Sequence, residues 1–173
     1  HSDLRRQRQM CIRDSPDDDA NSIVHGDFRL DNMVLHADKP EVLAVLDWEL
    51  STLGHPLGDF TYHLMQWFMP SEGASTQTLE GVDFDALNIP DAAEYTRLYC
   101  EHTGRDRIEN MDFYIAYNMF RLAGILQGIV GRVRDGTASN EHAALMEDRV
   151  KPLSDVSWFC LLYTSPSPRD RSL

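Results

Sequence analysis

The chain runs to 173 residues, 42% of them hydrophobic, with 28 acidic against 16 basic residues and a formal net charge of -12 at pH 7. That is the size of one ordinary domain of roughly 100–200 residues, with enough apolar content for a core. No stretch reaches the roughly 18 consecutive apolar residues of a membrane span, the first residues lack the apolar run of a secretory signal, and the acidic balance argues against nucleic acid or an anionic lipid surface as partner. A cytoplasmic protein with no nucleic-acid and no membrane partner is therefore expected.

The two ends share an unusual property. The tail segment CLLYTS, residues 160–165, can be encoded by DNA whose reverse complement, read from its third base, encodes MCIRD, which is residues 10–14. One DNA segment thus accounts for both ends, and both resemble in-frame translations of the adaptor used in transposase-based sequencing libraries. Residues 1–15 and 160–173 are accordingly expected to be non-native flanks, with 16–159 as the folding unit. That unit holds 25 acidic and 10 basic residues, a net charge of -15, and a single cysteine, Cys100. It can form no internal disulfide or cysteine metal site, which suits a reducing compartment.

The first elements lie in SIVHGDFRLDNMVLHADKPEVLAVLDWELSTLG. Two β-prone runs, Met33 to His36 and Val42 to Leu46, flank ADKP, whose Asp and Pro signal a turn. This predicts a hairpin in which Asn32 lies opposite Asp47, with Asp27 on the loop just before the first strand. Three oxygen-bearing side chains then converge at the open end. Such a set suits Mg²⁺, a hard ion that prefers oxygen and fills its remaining positions with water and substrate phosphates. An aspartate, an asparagine five residues later and an aspartate at the hairpin end form the arrangement of kinase-type phosphoryl transfer. There the first carboxylate takes or orients the acceptor hydroxyl proton, while the amide and the second carboxylate hold the metal.

The blocks HGDFRLDN, AVLDWELSTLG and HPLGDFTYHL, between Ile23 and Leu64, resemble the C-terminal lobe of the aminoglycoside phosphotransferase and choline kinase-like family. More narrowly, they are similar to the phosphotransferase domains fused to acyl-CoA dehydrogenases or encoded beside them, which phosphorylate hydroxyacyl-CoA substrates on the hydroxyl group. The resemblance implies an α+β, mostly helical fold: the C-terminal lobe of a protein-kinase-like fold, with the N-lobe missing and the metal site on the β-hairpin. It implies Asp27 as the catalytic aspartate, His25 and Arg29 as its companions in the catalytic loop, and Asn32 and Asp47 as the ligands of Mg²⁺ and so of ATP. Asp59 and Glu49 fall to structural support, Asp59 by bracing the catalytic loop through hydrogen bonds. The chain departs from the family pattern at His55, where an aspartate is usual.

Further along, DFTYHLMQWFMP reads as a helix that stops before Pro70, and residues 71–90 as a loop. PDAAEYTRLYCEHTG reads as a helix, with Asp91 and Glu94 in capping-box spacing and Gly104 at its end. Asn110 to Gly136 reads as a long helix whose glycines at 124, 128 and 131 are expected to allow close packing against a neighbouring helix. Arg121, Arg132 and Arg134, with Arg29, are the candidates to meet a polyanionic acceptor such as a CoA thioester, against the alternative of paired surface charges. No element is assigned between 137 and 159.

A kinase-like enzyme also needs a Gly-rich loop and a strand lysine to hold the nucleotide. Only residues 16–24 of the folding unit precede His25, and its two lysines, Lys39 and Lys151, are not placed for that role. The sequence therefore reads as a C-lobe fragment, inactive alone. Two functions stand: a small-molecule kinase using ATP on a hydroxyl acceptor, with hydroxyacyl-CoA ahead of aminoglycosides, amino alcohols or sugars, and a non-catalytic pseudokinase or binding module. The first carries a functional link to an acyl-CoA dehydrogenase.

Overall fold

The computed structural model describes residues 20–70, 79, 81–137 and 146–163. The described residues begin with two small antiparallel pairs. Strand β1 (Ser22–Val24) pairs with β4 (Thr52–Gly54), Ile23 opposite Leu53, and β2 (Met33–Leu35) pairs with β3 (Val42–Val45). Residues 25–32 and the β2–β3 hairpin are thus a single excursion between the two partners of the outer pair.

The hairpin register differs from the expected one by a residue. His36 N–H donates to the Glu41 carbonyl at 2.9 Å and closes the turn, and an irregularity between Val34 and Leu35 sets one extra residue into the facing strand. Met33 then faces Val45, and Leu46 N–H donates to the Asn32 carbonyl at 2.8 Å. Leu46, not Asp47, is the residue opposite Asn32. Asp47 lies one position beyond the ladder, in a left-handed conformation (φ 66°, ψ 50°), and starts the 3-10 turn Trp48–Leu50.

Five helices follow among the described residues. Helix α1 (Leu57–Leu64) continues into a 3-10 turn at Met65–Trp67 before Pro70. Of the expected 71–90 loop, residues 71–78 and 80 lie outside the described residues. Its end forms a short helix, α2 (Phe84–Leu87), capped by Asp83 accepting from Ala86 N–H. Helix α3 (Ala92–Thr103) starts with Asp91 accepting from Glu94 N–H at 2.8 Å and ends at Gly104 with φ 68°. Those two positions carry the N-cap and left-handed C-cap chemistry that the sequence signals there.

Helix α4 (Met111–Arg134) packs along α5 (Glu147–Tyr163) and across α1. The core joins Leu57, Phe60, Leu64 and Met65 to Tyr114, Ile115 and Met119, with Tyr95 and Tyr99 of α3 at its edge. A second cluster joins Met69, Ala123, Leu126 and Leu153. Two buried polar ties set the helix positions. Asn118 donates to the Gly58 carbonyl at 3.0 Å and to Thr61 Oγ1 at 2.8 Å, and Ser157 Oγ donates to the Ala116 carbonyl at 2.8 Å.

The α4 glycines do not have the packing role expected of them. Among the described residues, a Cβ placed at Gly124 or Gly131 meets nothing within 4 Å, and one at Gly128 meets only the side chain of Arg132, on its own helix. Helix α5 carries Pro152 in its interior and runs without a break across position 160, where Cys160 packs at the edge of the core.

Candidate active site

The site is built on the β1-to-β2 connection and the first turn of α1. Asp59 points its carboxylate at that connection, Oδ2 accepting from His25 N–H at 2.5 Å and Oδ1 from Gly26 N–H at 2.9 Å. His25 is buried, with 2% of its surface exposed. Its Nδ1 accepts from Asp27 N–H at 3.2 Å, and its Nε2 lies 2.7 Å from the Leu46 carbonyl. The Nε2–H tautomer satisfies both nitrogens, so the imidazole pins the end of β3 to the loop. Trp48 tilts against its ring at 4.8 Å between centroids.

Gly26 has φ +85°, and a Cβ there would lie 2.7 Å from the Leu50 carbonyl oxygen, so conformation and space both require glycine. Its own carbonyl accepts from the guanidinium of Arg121, 95 positions away on α4, at 2.5 Å. The chain then turns Asp27 outward, with 21% of its side chain accessible. Asn32 Nδ2 donates to the Asp27 carbonyl at 2.8 Å and to Oδ2 at 3.1 Å, and Arg29 Nε approaches the same Oδ2 at 3.4 Å. Arg29 is shared with Asp31, also at 3.4 Å.

Tyr62, one helical turn beyond Asp59 on α1, is buried. Burial, and then the charge of Asp27, push its phenol above the usual tyrosine range, with Arg121 and Arg29 opposing. The Arg121 guanidinium lies over the Tyr62 ring, 4.9 Å from its centroid.

His25, Asp27, Asn32 and Asp59 are thus brought into one hydrogen-bonded unit, which Arg29 joins by its ion pair with Asp27. Asp47 is set at the hairpin end, one residue after the Leu46 carbonyl that His25 meets, with an exposed carboxylate that has no partner among the described residues. Glu49 is exposed in the following turn and makes no ion pair or hydrogen bond among the described residues. His55, at the position where the family has an aspartate, accepts from Leu57 N–H through Nδ1 at 3.2 Å and stacks on Tyr114 at 5.1 Å. An imidazole nitrogen there meets a backbone N–H at the start of α1, as a carboxylate oxygen would.

Of the arginines assigned to an anionic acceptor, Arg121 is committed to Gly26 and Tyr62, Arg134 pairs with Glu147, and Arg132 is exposed. Sequence reasoning missed the tie from Arg121 to the Gly26 carbonyl and the Tyr62 ring, for which spacing along the chain carries no signal.

The donor set suits Mg²⁺. Asn32 spends its amide nitrogen on Asp27, leaving Oδ1 with no hydrogen bond among the described residues, and Asp47 offers an unpartnered carboxylate.

A model of the Phosphotransferase enzyme family matches residues 2–107. The chain belongs to that family. Its curated relatives include mouse (Mus musculus) acyl-CoA dehydrogenase family member 10, 41% identical over 143 residues, covering 83% of this chain and 13% of the relative. Acyl-CoA dehydrogenase family member 11 of Gallus gallus is 41% identical over 145 residues, covering 81% of this chain and 18% of that protein. A crystal structure described as a candidate aminoglycoside phosphotransferase of Ralstonia eutropha JMP134 superposes with a TM-score of 0.78 at 50% identity, covering 86% of this chain and 45% of that one. The chain is therefore mostly helical with small sheets in a kinase-like fold, and it spans less than half of that structure and about a fifth or less of those curated relatives.

Proposed function

We propose that this segment carries the catalytic loop of an ATP-dependent small-molecule kinase that phosphorylates an alcohol. The observation that supports it most is the hydrogen-bonded unit around Asp27: an outward-facing carboxylate held by Asn32 and Arg29 on a loop that His25 and Asp59 fix to the hairpin end. Asp27 accepts the proton of the acceptor hydroxyl as its oxygen bonds to the γ-phosphorus, and the bond from that phosphorus to the bridging oxygen breaks to release ADP. Asn32 and Asp47 would hold Mg²⁺, which supplies charge neutralisation at the nucleotide phosphates when bound. Arg29, with 44% of its side chain exposed beside Asp27, is available to the anionic groups of either substrate.

Two curated relatives named as acyl-CoA dehydrogenase family members support a hydroxyacyl-CoA acceptor and a functional link to dehydrogenase chemistry, ahead of an aminoglycoside, amino alcohol or sugar. The lobe that holds the nucleotide would lie in the part of these longer proteins that this chain does not span, so the segment alone would be inactive. Segments 1–15 and 160–173 are proposed to be dispensable to it.

The test is a phosphoryl-transfer assay on three proteins: the 173-residue chain, residues 16–159, and that segment joined to an upstream nucleotide-binding lobe. Activity of the third alone, with hydroxyacyl-CoA the best acceptor in a panel containing amino alcohols, aminoglycosides and sugars, is expected. Robust turnover by the first would overturn the assignment of the nucleotide site to a separate lobe. Failure of the third with every acceptor would favour a non-catalytic binding module.

A further inference from the structure

The peptide that joins Gly26 to Asp27 is the hinge on which the proposed base turns. Gly26 stands at φ +85°, and a glycine leaves the rotation leading into that peptide less restricted than any other residue would. A flip of the peptide plane would swing Asp27 and its carboxylate away from a bound acceptor. No sheet holds it, since the β1 ladder ends at Val24 and the β2 ladder starts at Met33. Asp59 takes the N–H groups of His25 and Gly26, which lie upstream of this peptide and leave its rotation open.

Two groups grip the plane itself. On one edge, Asp27 N–H donates to His25 Nδ1 at 3.2 Å, a tie made within the loop. On the other edge, the Gly26 carbonyl accepts from the Arg121 guanidinium at 2.5 Å and has no other donor among the described residues. Arg121 is the one that anchors the peptide to a different element. It is half-buried on α4, next to Asn118 and Met119, which lock that helix to the core. Its guanidinium lies over the Tyr62 ring, 4.9 Å from the centroid, and Tyr62 is 5% exposed on α1. The ring takes one face of the planar group and leaves its edge for the carbonyl, a division that a guanidinium allows and an ammonium does not.

We propose that Arg121 is a positioning residue for Asp27: laid over the Tyr62 ring, its guanidinium fixes the Gly26–Asp27 peptide and with it the carboxylate that receives the acceptor's proton. Arg121 acts through the backbone and contacts neither substrate. Its charge then serves the loop and not an anionic acceptor, and these two roles separate in kcat and KM.

This inference rests on the proposed role of Asp27, and a double-mutant cycle distinguishes the two. In the protein extended through its nucleotide-binding lobe, Arg121→Met keeps an apolar stem and removes the donor. It is expected to lower kcat about tenfold, the scale of a modest misplacement of a catalytic group, with KM for ATP and for the acceptor within about twofold of wild type. In an Asp27→Asn background the same change should cost less than about twofold in residual turnover, while lowering the thermal midpoint as much as it does alone. Arg121→Lys, a point donor in place of the fork, should lose kcat to an intermediate degree with the same dependence on background.

An unchanged kcat in Arg121→Met, or an equal loss in both backgrounds, would overturn the inference while leaving Asp27 in place. A raised acceptor KM at unchanged kcat would overturn it in favour of acceptor binding. A near-normal kcat in Asp27→Asn alone would instead overturn the role of Asp27. Should Arg121→Met fold poorly, the Arg121→Lys arm decides: full activity there, or a loss equal in both backgrounds, contradicts the inference.

Discussion

A methyl group at Gly26 would meet the Leu50 carbonyl oxygen at 2.7 Å from a backbone already at φ +85°. Gly26→Ala is therefore expected to destabilise the lobe by about 1–3 kcal/mol, the cost of a strained backbone position, and to abolish turnover because the same peptide carries Asp27. A lowered thermal midpoint together with lost activity checks both halves. Asn32→Ala and Asp47→Ala should each raise the Mg²⁺ concentration needed for half-maximal turnover, whereas Asp59→Ala should act mainly through stability. Mg²⁺ titrations of all three that superpose on wild type would show that the hairpin end does not hold the metal. His63 tests a different kind of residue. It sits among Phe28, Trp67 and Tyr95 with no hydrogen-bond partner for Nδ1 among the described residues, and burial lowers its proton affinity below that of an ordinary histidine, whose pKa is 6.5. The unfolded chain then binds the proton more readily, so its contribution to stability is complete above pH 6.5 and shrinks as the pH falls below that value. Melting curves between pH 8 and 5 should show this slope, and His63→Phe should flatten it.

Helix α4 offers the clearest test among the elements. With open space at Gly124 and Gly131, alanine at either position should stabilise the helix by about 0.5–1 kcal/mol, the propensity difference in a helix interior. Loss of stability on denaturant unfolding would mean that the glycines are close-packed after all. Asp91→Ala, which removes the α3 N-cap acceptor, should cost about 1 kcal/mol. The same elements show what the sequence discloses. Helix α3 was legible because its Asp91 cap and Gly104 stop are local chemistry, and α4 because its apolar pattern is long. Helix α5 was not, because Pro152 reads as a breaker while Leu153 and Ser157 hold the helix against its neighbours. The β1–β4 pair was hidden by the 27 residues between its strands, and the one-residue register by a bulge that propensity does not signal.

At the scale of the whole molecule, the grouping of residues that lie close in sequence was legible, Asp59 on α1 was reached through the family pattern, and the tie from Arg121 on α4 was not. His25, Asp27 and Asn32 fall within eight positions, whereas Arg121 arrives from 95 positions away and invited an acceptor-binding role from its charge alone. The surface around the site is apolar: Ile23 and Leu53 are 72% and 70% exposed, and Leu43, Leu46, Trp48 and Leu50 stand open along the hairpin and the turn after it. Patches of this kind belong to interfaces, and the proposed nucleotide-binding lobe is the occupant that the family fold supplies. The 173-residue chain alone should therefore bind a hydrophobic dye and self-associate, and extension through that lobe should suppress both. Dye binding that is equal in the two proteins would place the lobe elsewhere. The most direct measurement is transfer of labelled γ-phosphate from ATP to a hydroxyl acceptor by the extended protein and its Asp27→Asn variant. A drop in kcat of about 10²–10⁴ with little change in substrate binding is predicted, the usual worth of a positioned base. A variant that turns over at the wild-type rate would contradict the account.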